Sequence, residues 1–245
     1  EATYKINNNG VWETKTATMN VPVMNAACCP AKISTAPETW LTFACNNLGA
    51  RDIVSYTYTG TNNYTVNGNS GSDEALLRDY HGDWYRFGGP TPTMLNTPAH
   101  DTNKTWDNTY YQNDYLNWLP ANNPCPAGWR VPMTEEWNTV MNLTESGNTV
   151  NPAYNDYEFF GVWANNNNLS SVMRIGDYLY LPAAAWRYLQ GGSTNGKLLG
   201  RGGQGVYWCD SKSGYYFNVA SPAPSMDDYY TYRQAGFSVR CVVAE

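Results

Sequence analysis

Asn123-Pro124-Cys125-Pro126-Ala127-Gly128-Trp129-Arg130-Val131-Pro132, followed by Met133-Thr134-Glu135-Glu136-Trp137, is the stretch around which the rest of the chain is organised. Two prolines bracket Cys125, fixing φ on both sides and leaving an extended or turned backbone that cannot start a helix. Gly128 permits a tight turn, and Trp129 and Val131 stand two apart, as the buried positions of a short strand do. Beyond Pro132 the pattern changes. Glu135 and Glu136 suit the positive end of a helix dipole, and Trp137, Val140 and Met141 fall at i, i+3 and i+4 as one apolar stripe, which predicts a helix at about 134–144. A cysteine on so rigid a platform is a natural anchor for a distant strand. The candidate lies at the far end of the chain, Gly236-Phe237-Ser238-Val239-Arg240-Cys241-Val242.

Composition narrows the function classes. Charged residues make up 15% of the 245 and aromatic residues another 15%, which argues for an ordered, loop-rich fold and against disorder. A net charge of −6 and the lack of any Lys/Arg cluster disfavour nucleic acid as a partner. No apolar run is long enough to insert in a membrane, and the chain starts at Glu1, as a processed chain does. The six cysteines (Cys28, Cys29, Cys45, Cys125, Cys209 and Cys241) show no CxxC spacing, and both histidines lie far from them. Disulfides in an oxidising compartment therefore account for them better than a metal site, and neither metal nor cofactor is expected.

Taken in order, residues 1–25 read as a strand pair turning at Asn8-Asn9-Gly10, and residues 1–36 as an N-terminal strand or attachment region. Trp40 to Cys45 reads as a strand ending in the Asn47–Ala50 turn. Residues 59–73 read as polar loop, Asp73–Arg78 as a short helix, Gly82–Gly88 as an aromatic strand, and 146–170 as irregular. Gly202-Gly203-Gln204-Gly205 does not lead from a strand into a helix, so it reads as a flexible loop and not as a phosphate cradle. Strand-like pieces at Val206–Cys209, Tyr215–Val219 and Phe237–Val243 finish the chain. The expected class is α+β, with short, mostly antiparallel strands, about two helices and long loops.

Several segments in this order carry a family resemblance. They are Trp40…Phe43-x-Cys45-x-Asn47-Leu48-Gly49-Ala50, Gly82-Asp83-x-Tyr85-x-Phe87-Gly88, the Asn123–Pro132 motif, Tyr180-Leu181-Pro182-Ala183-Ala184, Tyr207-Trp208 and Gly236–Val242. Over residues 37–245 the chain resembles the Fibrobacter major-paralogue domain, common in surface proteins of Bacteroidetes and their phages. The resemblance implies a C-type-lectin-like fold for that span and a bridge between Cys125 and Cys241. Cys45 is then expected to pair with Cys28 or Cys29, with Cys29 taken here, and the other to reach Cys209. The family usually has Thr after the motif's last proline. Met133 stands there instead, so Thr134 is expected to cap the helix one residue late. The Glu-Pro-Asn and Gln-Pro-Asp triplets of calcium-dependent lectins are absent, which leaves calcium-mediated sugar binding unsupported.

Residues 207–234 differ in kind. Tyr207, Tyr215, Tyr216, Tyr229, Tyr230 and Tyr232 are interspersed with Asp210, Ser211, Ser213, Asn218, Asp227 and Asp228. Tyrosine gives large contact area at low entropic cost and small polar residues give adaptable hydrogen bonds, the chemistry of a paratope. These residues are the candidate ligand contacts, with Trp208 and Phe217 expected in the core. Members of the same superfamily serve as variable proteins of diversity-generating retroelements, whose adenine mutagenesis of Asn codons yields Tyr, Asp, Ser, Ala and Asn. The expected function is non-catalytic binding of a protein or glycan at the cell surface, or on a phage particle. One alternative is a structural tip or decoration subunit packing against pilus or phage-particle partners. Another is an oxidase resembling the formylglycine-generating enzymes, but Cys209 has no evident partner for a copper–thiolate pair and Glu135 and Glu136 are explained by their helix start.

Overall fold

The computed structural model describes residues 2–8, 11–17, 28–35, 37–50, 56–58, 64–66, 81–91, 118, 120–141, 156–165, 171–187, 196, 198–211, 215–228 and 235–244. The strands in chain order begin with β1 (Ala2–Asn8), β2 (Val11–Ala17), β3 (Cys28–Thr35), β4 (Glu38–Ala44), β5 (Tyr56–Tyr58), β6 (Tyr64–Val66) and β7 (Trp129–Arg130). Helix α1 (Thr134–Met141) follows, then β8 (Tyr157–Phe160), β9 (Val172–Ile175), β10 (Leu179–Pro182), β11 (Trp186–Arg187) and β12 (Leu198–Leu199). The chain closes with β13 (Gly205–Trp208), β14 (Tyr215–Val219), β15 (Ser225–Asp228) and β16 (Val242–Val243).

The expected α+β class with about two helices is corrected. Among the described residues strands account for 44% against 10% helix, with α1 the one helix of seven or more residues. The reason is local: runs of β-branched and aromatic residues, closely bounded by Gly, Pro and Asn, leave little room for an amphipathic helix to propagate. Two segments read as irregular hold strands for the same reason, β6 on Tyr64-Thr65-Val66 and β8 on Tyr157-Glu158-Phe159-Phe160. No described helix is long and apolar enough to cross a membrane. The β1–β2 pair forms as read, closing at Asn8↔Val11. The Asp73–Arg78 helix lies outside the described residues.

The central motif does anchor the C-terminus. In the sheet ordered β3-β4-β16-β7, Val242 pairs with Phe43 on one side and Arg130 on the other, and the Cys125–Cys241 bridge closes a 116-residue separation. Cys29 bonds Cys45, tying β3 to the turn after β4. The expected partner for Cys209 is corrected: its thiol is free and fully buried, with Sγ 3.6 Å from Met226 Sδ. The side chain of Cys28 lies outside the description.

The helix begins at Thr134, within the range read, but its expected cap is corrected. The Trp137 N–H donates to Met133 O, and Glu136 Oε2 accepts the Met133 N–H at 2.7 Å, so Met133 is the N-cap and α1 begins at Thr134. Glu136 supplies half of a capping box while binding Arg130 bidentately at 2.6 and 2.7 Å. The helix buries Trp137, which stacks on Phe217 at 4.7 Å and tilts against Phe43 at 4.9 Å.

The segment from Gly236 to Cys241 is a hub. Gly236 exchanges backbone hydrogen bonds with Arg187, Phe237 with Tyr85, and Ser238 bonds Val206 and Trp208; Val239 O accepts from Leu48 and Cys241 O from Ala44. Residues 82–88, read as a strand, make only the isolated bridge Tyr85↔Phe237 among the described pairings. Gly82 is needed where this segment crosses Leu48: φ is +74°, and a Cβ there would lie 2.6 Å from Leu48 O.

Candidate functional site

The three-stranded sheet β13-β14-β15 carries most of the described residues marked as contacts. Its register aligns Trp208, Tyr216 and Asp227 in one row, Tyr207, Phe217 and Met226 in the next, and Val206, Asn218 and Ser225 in the third. Side chains alternate across a strand, so the middle row faces opposite to its neighbours. Tyr207, Phe217 and Met226 enter the core with Trp137. Trp208 and Tyr216 turn the other way and meet Phe237, at 4.2 and 4.9 Å between ring centroids.

Two of the residues marked as contacts are therefore structural. Tyr207 is corrected from contact to core: it is fully buried, its hydroxyl donates to Pro182 O at 2.7 Å, and burial pushes its pKa up to about 12. Asp210 is held by its own backbone and side chain. Its N–H donates to Pro132 O, and its Oδ1 accepts the Trp118 N–H at 2.8 Å. Burial raises its pKa, opposed by that Trp118 hydrogen bond. Asp210 thus joins β13 to the central motif. Ser211 is half-buried beside it. Tyr215 and Asp228 lie opposite each other at the ends of β14 and β15, with side chains outside the description. Ser213, Tyr229, Tyr230 and Tyr232 lie outside the described residues.

Tyr216, Asn218 and Asp227 are brought together on the outer face, all half-buried. Three further residues stand beside them: Ser225, which belongs to the Tyr/Ser/Asp-rich segment 207–234, and Trp186 and Gln204, which nothing in the sequence marks. Trp186 Nε1 donates to Gln204 Oε1 at 3.0 Å, Gln204 Nε2 to Asn218 Oδ1 at 2.8 Å, and Asn218 Nδ2 to Asp227 Oδ2 at 3.3 Å. Ser225 Oγ donates to the same Asp227 oxygen at 2.7 Å. All of these donors point one way, and the relay ends on a carboxylate. Hydrogen bonds in such a chain polarise and orient one another. Beside it, Trp186, Gln204, Val206, Tyr216 and Phe237 line a small recess.

The recess is built from strained backbone. Ala185 sits in the left-handed region at φ +73°, which costs a non-glycine residue about 1–3 kcal/mol. It is held there by its N–H on Gln204 O and by Trp84 Nε1 on its own carbonyl. The strain sets the course of the next residue, Trp186, whose ring packs edge-on against Phe237 at 5.9 Å. The Gly202–Gly205 loop is tied down and not flexible as read. The N–H groups of Gly202, Gly203 and Gln204 donate to Ala183 O and Gly200 O, so none is directed outward as a phosphate donor.

The other candidate chemistries find their groups engaged. Cys241 is in a disulfide, and burial raises the Cys209 thiol pKa well above its usual value. Both Glu136 oxygens are taken by Arg130, and one also by the Met133 N–H. His81 is buried, and that burial, reinforced by the Arg201 charge, lowers its pKa to about 3. No family model, no curated protein and no solved structure matches the chain.

Proposed function

We propose that this protein is a non-catalytic ligand-binding protein of the extracellular space or a cell or phage-particle surface, acting through the outer face of β13-β14-β15. The observation that carries the reading is the relay from Trp186 through Gln204 and Asn218 to Asp227, laid beside Tyr216 on one half-buried face. Polar side chains fixed in advance beside aromatic rings lose little entropy when a partner arrives, which is how a rigid binding surface gains affinity. The two disulfides fit an oxidising compartment. The motifs that resemble the Fibrobacter major-paralogue domain fit a surface role, and the Tyr/Asp/Ser content of 207–234 fits diversification by a retroelement.

Screening the full chain on a glycan array and against a displayed peptide library tests this. Binders are expected whose signal falls about tenfold or more in Tyr216→Ala, Asn218→Ala or Asp227→Ala. Binders indifferent to all three substitutions would remove the assignment of this face. A second reading, a tip or decoration subunit, draws on the β1–β2 ladder, which forms a sheet of its own. Under that reading, deleting residues 1–25 abolishes assembly into a particle and leaves residues 37–245 folded.

A further inference from the structure

We propose that the recess between Trp186 and Tyr216 is a sugar subsite, which seats a single ring hydroxyl on the side-chain amide of Gln204. This rests on the reading of β13-β14-β15 as a binding face and names the class of ligand that face selects.

The first argument is size. Val206 and Phe237 are buried while Trp186, Gln204 and Tyr216 are half-buried, so the first two form the floor of the recess and the other three its rim. It holds about 20 Å³, room for one water-sized group. A guanidinium, a carboxylate or a peptide group, each with several heavy atoms in one plane, is too large. A hydroxyl oxygen on a single carbon fits.

The second argument is what the amide has left to offer. A primary amide carries two N–H donors and an oxygen with two lone pairs. Gln204 spends one N–H on Asn218 Oδ1, at 2.8 Å, and one lone pair on the Trp186 indole, at 3.0 Å. One donor and one acceptor remain. A hydroxyl is the water-sized group that answers both, because it accepts through its oxygen and donates through its hydrogen. An ammonium donates only and would leave the remaining N–H without an acceptor. A small anion accepts only, and it approaches a protein of net charge −6 with the Asp227 carboxylate on the same sheet face.

The third argument is what stands around the recess. The Trp186 and Tyr216 rings are set at 74° and 61° to the Phe237 ring beneath them. Aromatic faces carry negative potential, which suits the weakly positive C–H groups of a sugar. A serine or threonine hydroxyl brings at most a methyl group beside it. A sugar brings a row of C–H groups for the rings, and further hydroxyls for Asn218, Ser225 and Asp227 on the same outer face.

The fourth argument is preorganisation. Gly200 sits at φ +80°, and a Cβ there would lie 2.9 Å from Gln204 Cβ and 3.1 Å from Gln204 Oε1. Only a glycine lets the amide lie that close to the turn. On the other side the left-handed Ala185 sets the course of Trp186, whose indole holds the amide oxygen. The amide is thus fixed before any ligand arrives, and little freedom is lost on binding.

The test is a titration of the full chain, reading the Trp186 indole N–H by two-dimensional NMR, since that proton rests on the amide in question. The probes are the methyl glycosides of glucose, mannose, galactose and N-acetylglucosamine, with Nα-acetyl-threonine amide and Nα-acetyl-lysine amide for comparison. At least one glycoside is expected to shift the signal saturably, with a Kd in the millimolar range. Its monodeoxy analogues are then expected to divide: loss of one particular hydroxyl weakens binding about tenfold or more, and loss of any other less than about threefold. Gln204→Glu, which keeps the side chain's shape and removes its N–H donors, is expected to weaken the glycoside about tenfold as well. The deoxy series needs no variant, so the proposal remains testable even if Gln204→Glu fails to fold. Equal losses across the deoxy series, or a response to the threonine or lysine amide in place of the glycosides, overturn the sugar subsite and leave the binding face standing. No response to any probe overturns the subsite too, and peptide-library binding sensitive to Tyr216→Ala would then show that the face itself survives.

Discussion

Arg240 Nε donates to Asn47 Oδ1 at 3.1 Å, joining residues 193 apart in sequence. Asn47 in turn donates from Nδ2 to His81 O at 2.9 Å, so one buried amide ties the C-terminal hub to two other segments. The rest of the Arg240 guanidinium is also engaged. Nη1 donates to Ala44 O and Cys45 O, and Nη2 to Tyr180 O at 2.9 Å. A buried planar fork with fixed donors serves four acceptors that no compact ammonium could reach together.

Arg240→Lys is therefore expected to be a severe substitution despite keeping the charge. It leaves carbonyl groups unpaired in the core and buries a cation with fewer partners, at a cost of roughly 3–5 kcal/mol. Arg240→Met removes the charge as well and is expected to be the milder of the two. Urea unfolding of the three chains measures this. A loss under about 1 kcal/mol for Arg240→Lys would mean that the hub does not depend on the guanidinium.

His81 sets an acid limit. Its folded pKa is lowered to about 3 by burial and by Arg201, against an ordinary value near 6.5. The unfolded chain thus binds a proton between these values that the folded chain does not. Stability from the neutral, buried imidazole is complete above about pH 6.5 and is lost as the pH falls towards 3. His81→Leu removes this dependence. Thermal midpoints between pH 4 and 7 are expected to slope less steeply in the variant, and parallel slopes would refute the assignment.

Much of this architecture was legible because it is encoded locally. The Pro-Cys-Pro platform and the Trp137/Val140/Met141 stripe announce themselves through fixed φ, periodicity and burial, and the structure joins the platform to the end of the chain as Cys125–Cys241 and β7–β16. The strand expected over Phe237–Val243 is corrected: it forms only at Val242–Val243, with isolated bridges at residues 236–238. The helix content was overestimated because polar segments with a few aromatic residues pass for loop or helix until cross-strand pairing decides. The site was half legible. Composition marks Tyr216, Asn218 and Asp227, but alternation sends Tyr207 inward, and a one-residue difference in register is enough to exchange the two faces. Trp186 and Gln204 could not be found from the sequence, because they enter through the strained turn at Ala185 and a buried glycine-rich loop.

Met133 leaves the N-cap of α1 with half of a capping box. Glu136 reaches back to the Met133 N–H, but Met133 has no side-chain oxygen to return to the first turn. Met133→Thr is expected to complete the box and stabilise the protein by about 0.5–1 kcal/mol, helped because Met133 is 40% exposed and gives up little packing. Asp at the same position is expected to do less, since the Glu136 carboxylate lies beside it. Chemical denaturation of the two variants checks both the sign and the order.

The last prediction concerns how the gene varies. A retroelement diversifies whichever adenine-bearing codons its template marks, yet only surface positions can change without loss of the fold. On β13-β14-β15 that divides neighbours. Tyr216, Asn218, Ser225 and Asp227 are half-buried on the outer face, whereas Tyr207, Phe217 and Met226 pack around Trp137, where truncation costs about 2–5 kcal/mol. Sequencing the 3′ flank and many copies of the gene is expected to show a near-identical template repeat differing at adenines, with substitutions on the outer row and not the inner one. Asp210 is expected to stay fixed with the inner row, because its carboxylate holds Trp118. Variation spread evenly over both rows would show that residues 207–234 are not diversified as a surface. No repeat at all would leave the same face as a fixed binding surface, in which Tyr216 and Asp227 recur unchanged from copy to copy.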